Sequence, residues 1–169
     1  MLLYHGSNVE IDVISLEKCR PYKDFGQGFY LTDIETQAFN MAKRVSRIYG
    51  GTPVVNMFEI NDDFTDRSDL KIKCFGNKPS EEWATFVMNN RNREFKSTSD
   101  VLCNLDFKYD IVIGPVADDD MAMLFRQYLN EMIDFSTLIK GMTFKETTSQ
   151  YSFHTDRAIS LLKKAGVVK

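Results

Sequence analysis

The sequence predicts a mixed α+β fold in a single domain that spans residues 1–169. Short apolar runs typical of strands alternate with longer stretches in which apolar residues recur every three or four positions, as in helices. A chain of 169 residues has the length of one domain and can bury a real core. No internal repeat, low-complexity tract or linker divides the chain. The pattern therefore favours helices packed on sheets in one unit.

The composition is that of an ordinary soluble globular protein, with 43% apolar and 27% charged residues. The net charge of −3 and the pI of about 5.4 argue against a broad surface for nucleic acid or anionic membranes. The three cysteines show neither a disulfide framework nor the spacing of a zinc site. No signal peptide and no apolar run of membrane-spanning length is found. We therefore expect a cytoplasmic protein with no metal and no membrane association.

Besides the strand entered at residues 29–31, five strands are predicted from apolar runs that end at turn residues. The run at residues 109–113, with the sequence YDIVI, is predicted to be a strand buried on both faces, because apolar residues follow one another in it without alternation after Asp110. The predicted strands are Met1–Tyr4, Pro53–Ile60, Leu70–Phe75 at a sheet edge, Tyr109–Ile113 and Gln150–Phe153.

Four helices are predicted from apolar periodicity and capping residues. The most regular extends from Asp33 to Tyr49, and its core-facing positions are Ile34, Ala38, Met41, Ala42 and Val45. The other three begin after Ser80, at residues 118–120 and after Thr155. The third is predicted to continue through Met132, and the fourth to end at Gly166.

The segment Asp24–Thr32, with the sequence DFGQGFYLT, is predicted to form a ligand-binding loop. Its two glycines, Gly26 and Gly28, suit a backbone that turns tightly or passes close to a ligand, because glycine has no Cβ. Tyr30 follows at the entry to a strand, and Thr32 has the spacing of a helix cap. Two glycines, an aromatic ring and the start of a helix thus lie within nine residues of one another in the sequence.

Three sequence elements together resemble the ADP-ribosyltransferase superfamily. They are HGS at residues 5–7, FGxGxY at residues 25–30 and a C-terminal strand that begins at Gln150. The closest likeness is to the diphtheria-toxin and poly(ADP-ribose) polymerase branch, and residues 109–118 and 150–155 resemble an uncharacterised bacterial family of that superfamily. The resemblance implies two bent, packed antiparallel sheets with flanking helices and a cleft for NAD.

The resemblance also implies a role for individual residues. His5 corresponds to the histidine that bonds an NAD ribose hydroxyl, and Gly6 to the glycine whose backbone pairs with the nicotinamide amide. Tyr30 corresponds to the tyrosine that packs against nicotinamide, and Gln150 stands where the catalytic glutamate is expected. The implied catalytic residues are His5, Tyr30 and Gln150, and the implied NAD-binding residues are His5, Gly6, Ser7, Gly28, Phe29, Tyr30 and Met41.

The sequence departs from that superfamily at two positions. Gln150 cannot ionise, so it supplies a dipole where the superfamily has a carboxylate, and Gln150→Glu is predicted to raise NAD cleavage. Glu146 is a candidate to replace the missing carboxylate. Met41 stands where the polymerases place a second stacking tyrosine, and it also fits the core face of its helix, with Phe39 as a rival for the stacking role.

The same residues match two other motifs only in part. DFG at residues 24–26 is also a kinase metal-binding motif, but no HRD loop precedes it. Gly26-x-Gly28 lacks the third glycine of a dinucleotide-binding fingerprint. His154 is predicted to have a capping or surface role. Arg20 and Lys23 either meet the NAD pyrophosphate or form a solvated basic turn.

The function that the resemblance implies is mono-ADP-ribosyl transfer from NAD with release of nicotinamide, in the manner of bacterial toxins. The acceptor is left open among a protein side chain, a nucleic-acid base, a small molecule and water. One alternative is a catalytically weak NAD-binding or sensing module held by a small antitoxin-like protein. Another is an interaction domain that does not bind NAD. Residue 150 is the feature that separates the first two.

Overall fold

The computed structural model describes residues 1–94, 102–143 and 148–169. In these ranges the strands are β1 (Leu2–Ser7), β2 (Phe29–Leu31), β3 (Val54–Glu59), β4 (Ile72–Cys74), β5 (Ile111–Pro115), β6 (Ser149–Phe153) and β7 (Lys163–Val168). The helices are α1 (Glu35–Tyr49), α2 (Glu81–Arg91), α3 (Asp119–Leu129), α4 (Phe135–Thr143) and α5 (Asp156–Ile159).

The strands form two mostly antiparallel sheets, which confirms the predicted α+β class. Sheet A has the order β1-β3-β7, and all of its pairs are antiparallel. Sheet B has the order β2-β6-β5-β4, in which only β4 and β5 run parallel. The sheets meet where Tyr4 and Thr32 exchange two backbone hydrogen bonds of 2.8 and 3.0 Å. This bridge joins β1 to the end of β2.

Two large apolar clusters explain how the layers pack. One cluster lies between the sheets and unites Leu3 and Phe58 of sheet A with Phe29, Ile111 and Phe153 of sheet B. The other covers the opposite face of sheet B with side chains from α2, α3 and α4, and its buried members include Trp83, Phe86, Met121, Phe125 and Leu138. Burial of apolar surface on both sides of sheet B explains the unbroken apolar run at 111–113.

Helix α1 packs on sheet A through fewer residues than its periodicity predicts. Ala38 and Ala42 are buried, but Met41 and Ile34 are exposed by 49% and 37%. The prediction that Met41 and Ile34 face the core is therefore wrong. Small residues occupy the contact because the helix backbone passes directly over Gly6 of β1, which leaves no room for a larger side chain.

The C-terminal segment differs from the predicted helix. Helix α5 ends at Ile159, and residues 163–168 form β7 instead. β7 pairs with β3, so that β3 is the central strand of sheet A. Backbone hydrogen bonds to an available strand edge outweigh the weak local preference of these residues for a helix.

Two further differences concern the helices after β5. Helix α3 ends at Leu129, before Met132, and a separate helix α4 that the sequence did not predict follows it. Glu131 between them has a φ angle of 57°, which breaks the helix. Among the described residues, no helix is both long and apolar enough to cross a membrane.

Candidate functional site

His5 lies on β1 with its ring beside β2. Its Nδ1 is 2.7 Å from the carbonyl oxygen of Tyr30, and its ring stacks on Phe29 with centroids 4.4 Å apart. Burial lowers the pKa of His5, although the bond to Tyr30 opposes this, so the neutral ring is favoured. Because a carbonyl only accepts, Nδ1 carries the proton and Nε2 is an acceptor. Nε2 has no partner in the part of the chain that the structure describes.

Gly6 combines close packing on one side with an open backbone on another. A Cβ on Gly6 would lie 2.0 Å from the carbonyl oxygen of Ala38, so the contact with α1 by itself requires glycine. Tyr4 directs its N–H and C=O to Thr32, away from β3. Antiparallel pairing alternates along a strand, so the N–H and C=O of Gly6 point to the same side as those of Tyr4. The Tyr4–Thr32 bridge does not extend to Gly6, and no described residue bonds the N–H or C=O of Gly6.

Tyr30 holds the preceding loop through its hydroxyl group. The hydroxyl donates to the carbonyl oxygen of Gly26 at 2.7 Å and accepts from the N–H of Phe25 at 2.9 Å. Burial, followed by the negative charge of Asp24, raises the pKa of Tyr30 well above its usual value. The hydroxyl therefore stays protonated and acts as a structural bond between strand β2 and the loop, rather than as a base.

The two hydrogen bonds of the Tyr30 hydroxyl predict that Tyr30→Phe lowers the free energy of unfolding. This variant leaves the N–H of Phe25 and the carbonyl of Gly26 without their partner, so we expect a loss of about 1–3 kcal/mol in the free energy of unfolding. Urea unfolding followed by circular dichroism measures it. Tyr151→Phe, on the neighbouring strand, is the control. An unchanged midpoint for Tyr30→Phe would contradict the structural role of the hydroxyl.

Gln150 is buried on β6, and its amide orientation follows from its partners. Nε2 is 2.8 Å from Oδ2 of Asp24 and 3.2 Å from the carbonyl oxygen of Pro115. Both partners only accept, so the NH₂ group must face them and Oε1 points the other way. Oε1 has no partner within the described ranges, and it is not among the fully buried polar atoms without one.

The carboxylate of Asp24 is a feature that the sequence interpretation missed. Its Oδ1 accepts from Nε and Nη2 of Arg91 at 3.0 and 2.6 Å, and its Oδ2 accepts from the N–H of Ala117 at 3.1 Å. The partners lie 67 and 93 positions away in sequence. The available signal was a charged residue directly before an otherwise apolar and glycine-rich loop, which is unusual in a buried segment unless the charge is paired.

The three predicted catalytic residues lie on three strands: His5 on β1, Tyr30 on β2 and Gln150 on β6. Tyr30 and Gln150 point to the same face of sheet B, because Tyr30 is paired with Ser152 and Gln150 lies two residues from Ser152. His5 contacts the Phe29 side of β2 instead. His5 belongs to sheet A and Tyr30 to sheet B, and the His5 ring contacts the backbone of Tyr30 while the two side chains lie on opposite faces of β2.

The other predicted NAD-binding residues have varied environments. Phe29 is only 4% exposed and belongs to the core between the sheets, so its side chain packs in the core and is not offered to a ligand. Ser7 is buried, and its Oγ accepts from the N–H of Val9. Met41 is half exposed on the turn of α1 that covers Gly6. Its rival Phe39 lies beneath the Nζ of Lys43, 4.3 Å from the ring centroid.

Gly28 and His154 form one close contact, and the predicted surface role of His154 is wrong. His154 is 3% exposed, with Nδ1 2.8 Å from the carbonyl oxygen of Gln27 and Nε2 2.8 Å from Oγ of Ser152. A Cβ on Gly28 would lie 2.6 Å from Nδ1 of His154. Gly28 therefore permits the burial of a histidine ring, whose pKa burial lowers to about 4.

Arg20, a candidate for contact with the NAD pyrophosphate, is engaged with α1 instead. Arg20 stacks on Tyr49 at the end of α1, with its guanidinium carbon 4.7 Å from the ring centroid. Glu146, the proposed substitute carboxylate, lies outside the described residues. Two open depressions of about 450 Å³ each occur beside α1 and after α3, and neither is lined by His5, Tyr30 or Gln150.

These features define an α+β protein with two packed sheets, in which polar groups of His5, Gly6 and Gln150 have no partner among the described residues. The chain belongs to the DUF3990 family, described as a protein of unknown function, because that family matches residues 1–164. The match includes every residue of the cluster described above. No curated protein and no solved structure matches the chain.

Proposed function

We propose that the protein has an ADP-ribosyltransferase-like fold and transfers ADP-ribose from NAD to an acceptor, with nicotinamide as the leaving group. One observation carries the proposal: polar groups without protein partners in the described chain occur at three of the positions that the sequence resemblance assigns to NAD. They are Nε2 of His5, the backbone N–H and C=O of Gly6, and Oε1 of Gln150. Polar groups without a protein partner are available to bond a ligand.

Each group has the hydrogen-bonding character that its proposed partner needs. The neutral His5 offers an acceptor to a ribose hydroxyl, and Oε1 of Gln150 offers an acceptor to another. An N–H and a C=O of the same glycine match the carbonyl and NH₂ of the nicotinamide amide, which is a pair of opposite polarity. Met41 is half exposed on the helix that covers Gly6, and a thioether is suited to cover an aromatic ring.

The proposed reaction exchanges one bond at C1′ of the nicotinamide ribose. The C1′–N bond breaks, and its electron pair leaves with nicotinamide, which becomes neutral. A lone pair of the acceptor forms the new bond to C1′, and the acceptor loses its proton. Positive charge grows on the ribose between these events, so a negative or dipolar oxygen near the 2′-hydroxyl lowers the barrier. Oε1 of Gln150 is the candidate for that oxygen.

A second candidate function is NAD binding or sensing without rapid turnover, in association with a small antitoxin-like protein. The observation that favours it is the charge of the site. Gln150 is neutral, and the adjacent carboxylate of Asp24 is paired with Arg91 at 2.6 Å. No uncompensated negative charge is therefore found among the described groups near the proposed ribose site, and catalysis by electrostatic stabilisation would be weak.

Calorimetric titration with NAD tests both functions, and nicotinamide release separates them. We expect micromolar to millimolar binding that Tyr30→Ala weakens by about 1–3 kcal/mol, which is the range for aromatic–base stacking in other proteins. Release of nicotinamide in the presence of cell extract would favour transfer, and binding without release would favour the sensing module.

Tyr128→Ala is the control for Tyr30→Ala. Tyr128 packs on Phe135 between α3 and α4, away from the proposed site. Its loss should destabilise the protein by a similar mechanism without changing the affinity for NAD. If both variants bind NAD as wild type does, Tyr30 has no part in binding. If wild type fails to bind NAD at millimolar concentration, the proposed function is wrong.

A further inference from the structure

Asp24 is fixed so firmly that it determines the orientation of Gln150. Two nitrogens of Arg91 bind its Oδ1, and the Ala117 N–H and the Gln150 amide bind its Oδ2. All four bonds measure between 2.6 and 3.1 Å, and the side chain is 11% exposed. A carboxylate with four donors in a buried place has one stable position, so it cannot turn away from Gln150.

The charge of Asp24 also acts on the free oxygen of Gln150. A hydrogen bond from the amide NH₂ to a carboxylate shifts electron density within the amide toward its oxygen, because bonds in a chain polarise one another. Arg91 binds the far oxygen, Oδ1, so Oδ2 is the part of the carboxylate nearest to the amide. Oε1 is therefore more negative than the oxygen of an isolated glutamine.

We propose that Asp24 is a positioning residue, which holds Oε1 of Gln150 toward the substrate and supplies through the amide part of the negative charge that Gln150 itself lacks. The proposal rests on the proposed NAD-cleaving function. The resemblance leads us to expect a carboxylate at position 150, where this chain has glutamine. In the proposal the negative charge belongs to Asp24, which accepts a hydrogen bond from the Gln150 amide.

The arrangement reverses the expectation that Gln150→Glu raises NAD cleavage. A glutamate at position 150 would place a carboxylate oxygen about as close to Asp24 as the amide nitrogen is now, at 2.8 Å. An ionised glutamate also has no proton to donate to Asp24 or to the carbonyl oxygen of Pro115. Like charges so close repel each other strongly. We therefore expect the single variant Gln150→Glu to have a lower unfolding midpoint and lower activity than wild type.

The exchange of the two residues is the decisive experiment. In Asp24→Asn/Gln150→Glu, the asparagine NH₂ can donate to the new carboxylate, which then lies nearer to the ribose. We expect Asp24→Asn alone to lower the rate of nicotinamide release at saturating NAD on the order of tenfold, with the dissociation constant for NAD nearly unchanged. The double variant should recover the wild-type rate or exceed it, and its urea midpoint should lie above those of both single variants.

Asp69→Asn is the matched control. Asp69 forms an ion pair with Arg67 at 2.7 Å, as Asp24 does with Arg91. The Asp69–Arg67 pair is exposed and lies in the segment before β4. This variant removes one ion-paired carboxylate and should leave the rate of nicotinamide release unchanged. If Asp24 has a purely structural role, the two substitutions act independently, and the relative rate of nicotinamide release in the double variant equals the product of the relative rates of the two single variants. A double variant no faster than that product overturns the proposal. So does an unchanged rate in Asp24→Asn.

The unfolding measurements distinguish failure of this proposal from failure of the proposed function. If wild type neither binds nor cleaves NAD, the proposed function fails, and the unfolding midpoints of the four proteins still report whether Asp24 and Gln150 are coupled. If wild type cleaves NAD but the exchange rescues neither rate nor midpoint, Asp24 is not the positioning residue. Should both single variants fail to fold, folding of the double variant supports the pairing and its failure to fold overturns it.

Discussion

Replacing Gly6 by alanine is expected to lower the free energy of unfolding by about 3 kcal/mol or more, because the added atom has nowhere to go. The new Cβ would lie 2.0 Å from the carbonyl oxygen of Ala38 and 2.7 Å from the nitrogen of Ala42. Both atoms belong to the backbone of α1, so no rotation of a side chain relieves the overlap. The helix must move off sheet A, which also exposes Ala38 and Ala42.

Urea unfolding of Gly6→Ala beside Gly76→Ala measures this effect. Nothing lies within 4 Å of a Cβ on Gly76, and its φ of 74° adds only local backbone strain. The control should therefore lose about 1 kcal/mol. Equal midpoints for the two variants would show that α1 does not pack on Gly6 as described. Loss of NAD binding in Gly6→Ala would be uninformative, since helix packing alone accounts for it.

Acidification from pH 7.5 to pH 5 is expected to lower the stability of the protein by about 2 kcal/mol through His154 alone. Burial lowers the pKa of His154 from 6.5 to about 4 in the folded protein. Between pH 6.5 and pH 4 the His154 ring is protonated in the unfolded chain and neutral in the folded chain. The free energy of unfolding therefore falls as the pH decreases from 6.5 toward 4. Above pH 6.5 both states are neutral, and the contribution is complete.

The pH dependence has a second source in the only other histidine, His5, whose pKa burial also lowers. His154→Asn isolates the effect of His154, because asparagine keeps a donor near the carbonyl oxygen of Gln27 but does not titrate. The variant should lose most of the stability change between pH 7.5 and 5. Carboxylates such as Asp110, whose pKa is lowered in the fold, act below this range. The same pH slope in wild type and His154→Asn would contradict the neutral buried ring.

Local sequence features were sufficient for much of the secondary structure. The run at 109–113 predicted a strand covered on both faces, and β5, which begins at Ile111, is buried along its whole length. Ser80 and Thr155 were predicted as helix caps, and their side chains accept from the N–H of Trp83 and Ala158. These signals are readable because a cap, or a strand buried on both faces, depends on residues close in sequence.

Partners distant in sequence decided what periodicity could not. Residues 163–168 have little local preference, and they became a strand because β3 offered an unpaired edge. Met41 fits a helical stripe but lies outside the contact, because the closeness of Gly6 and Ala38 narrows that contact to alanines. Periodicity identifies a face of a helix, and only packing determines how much of that face is used.

The same division applies to the site. The order of HGS, FGxGxY and Gln150 in the sequence predicted a shared site, and the structure places these residues on β1, on the loop before β2 with β2 itself, and on β6. The direction of the Gln150 amide, and its dependence on Asp24 and Arg91, arise from contacts across 126 and 67 positions of the chain. Residue type determines which hydrogen bonds a side chain is able to form. The tertiary structure decides which of them are already occupied, and therefore which atoms remain for a ligand.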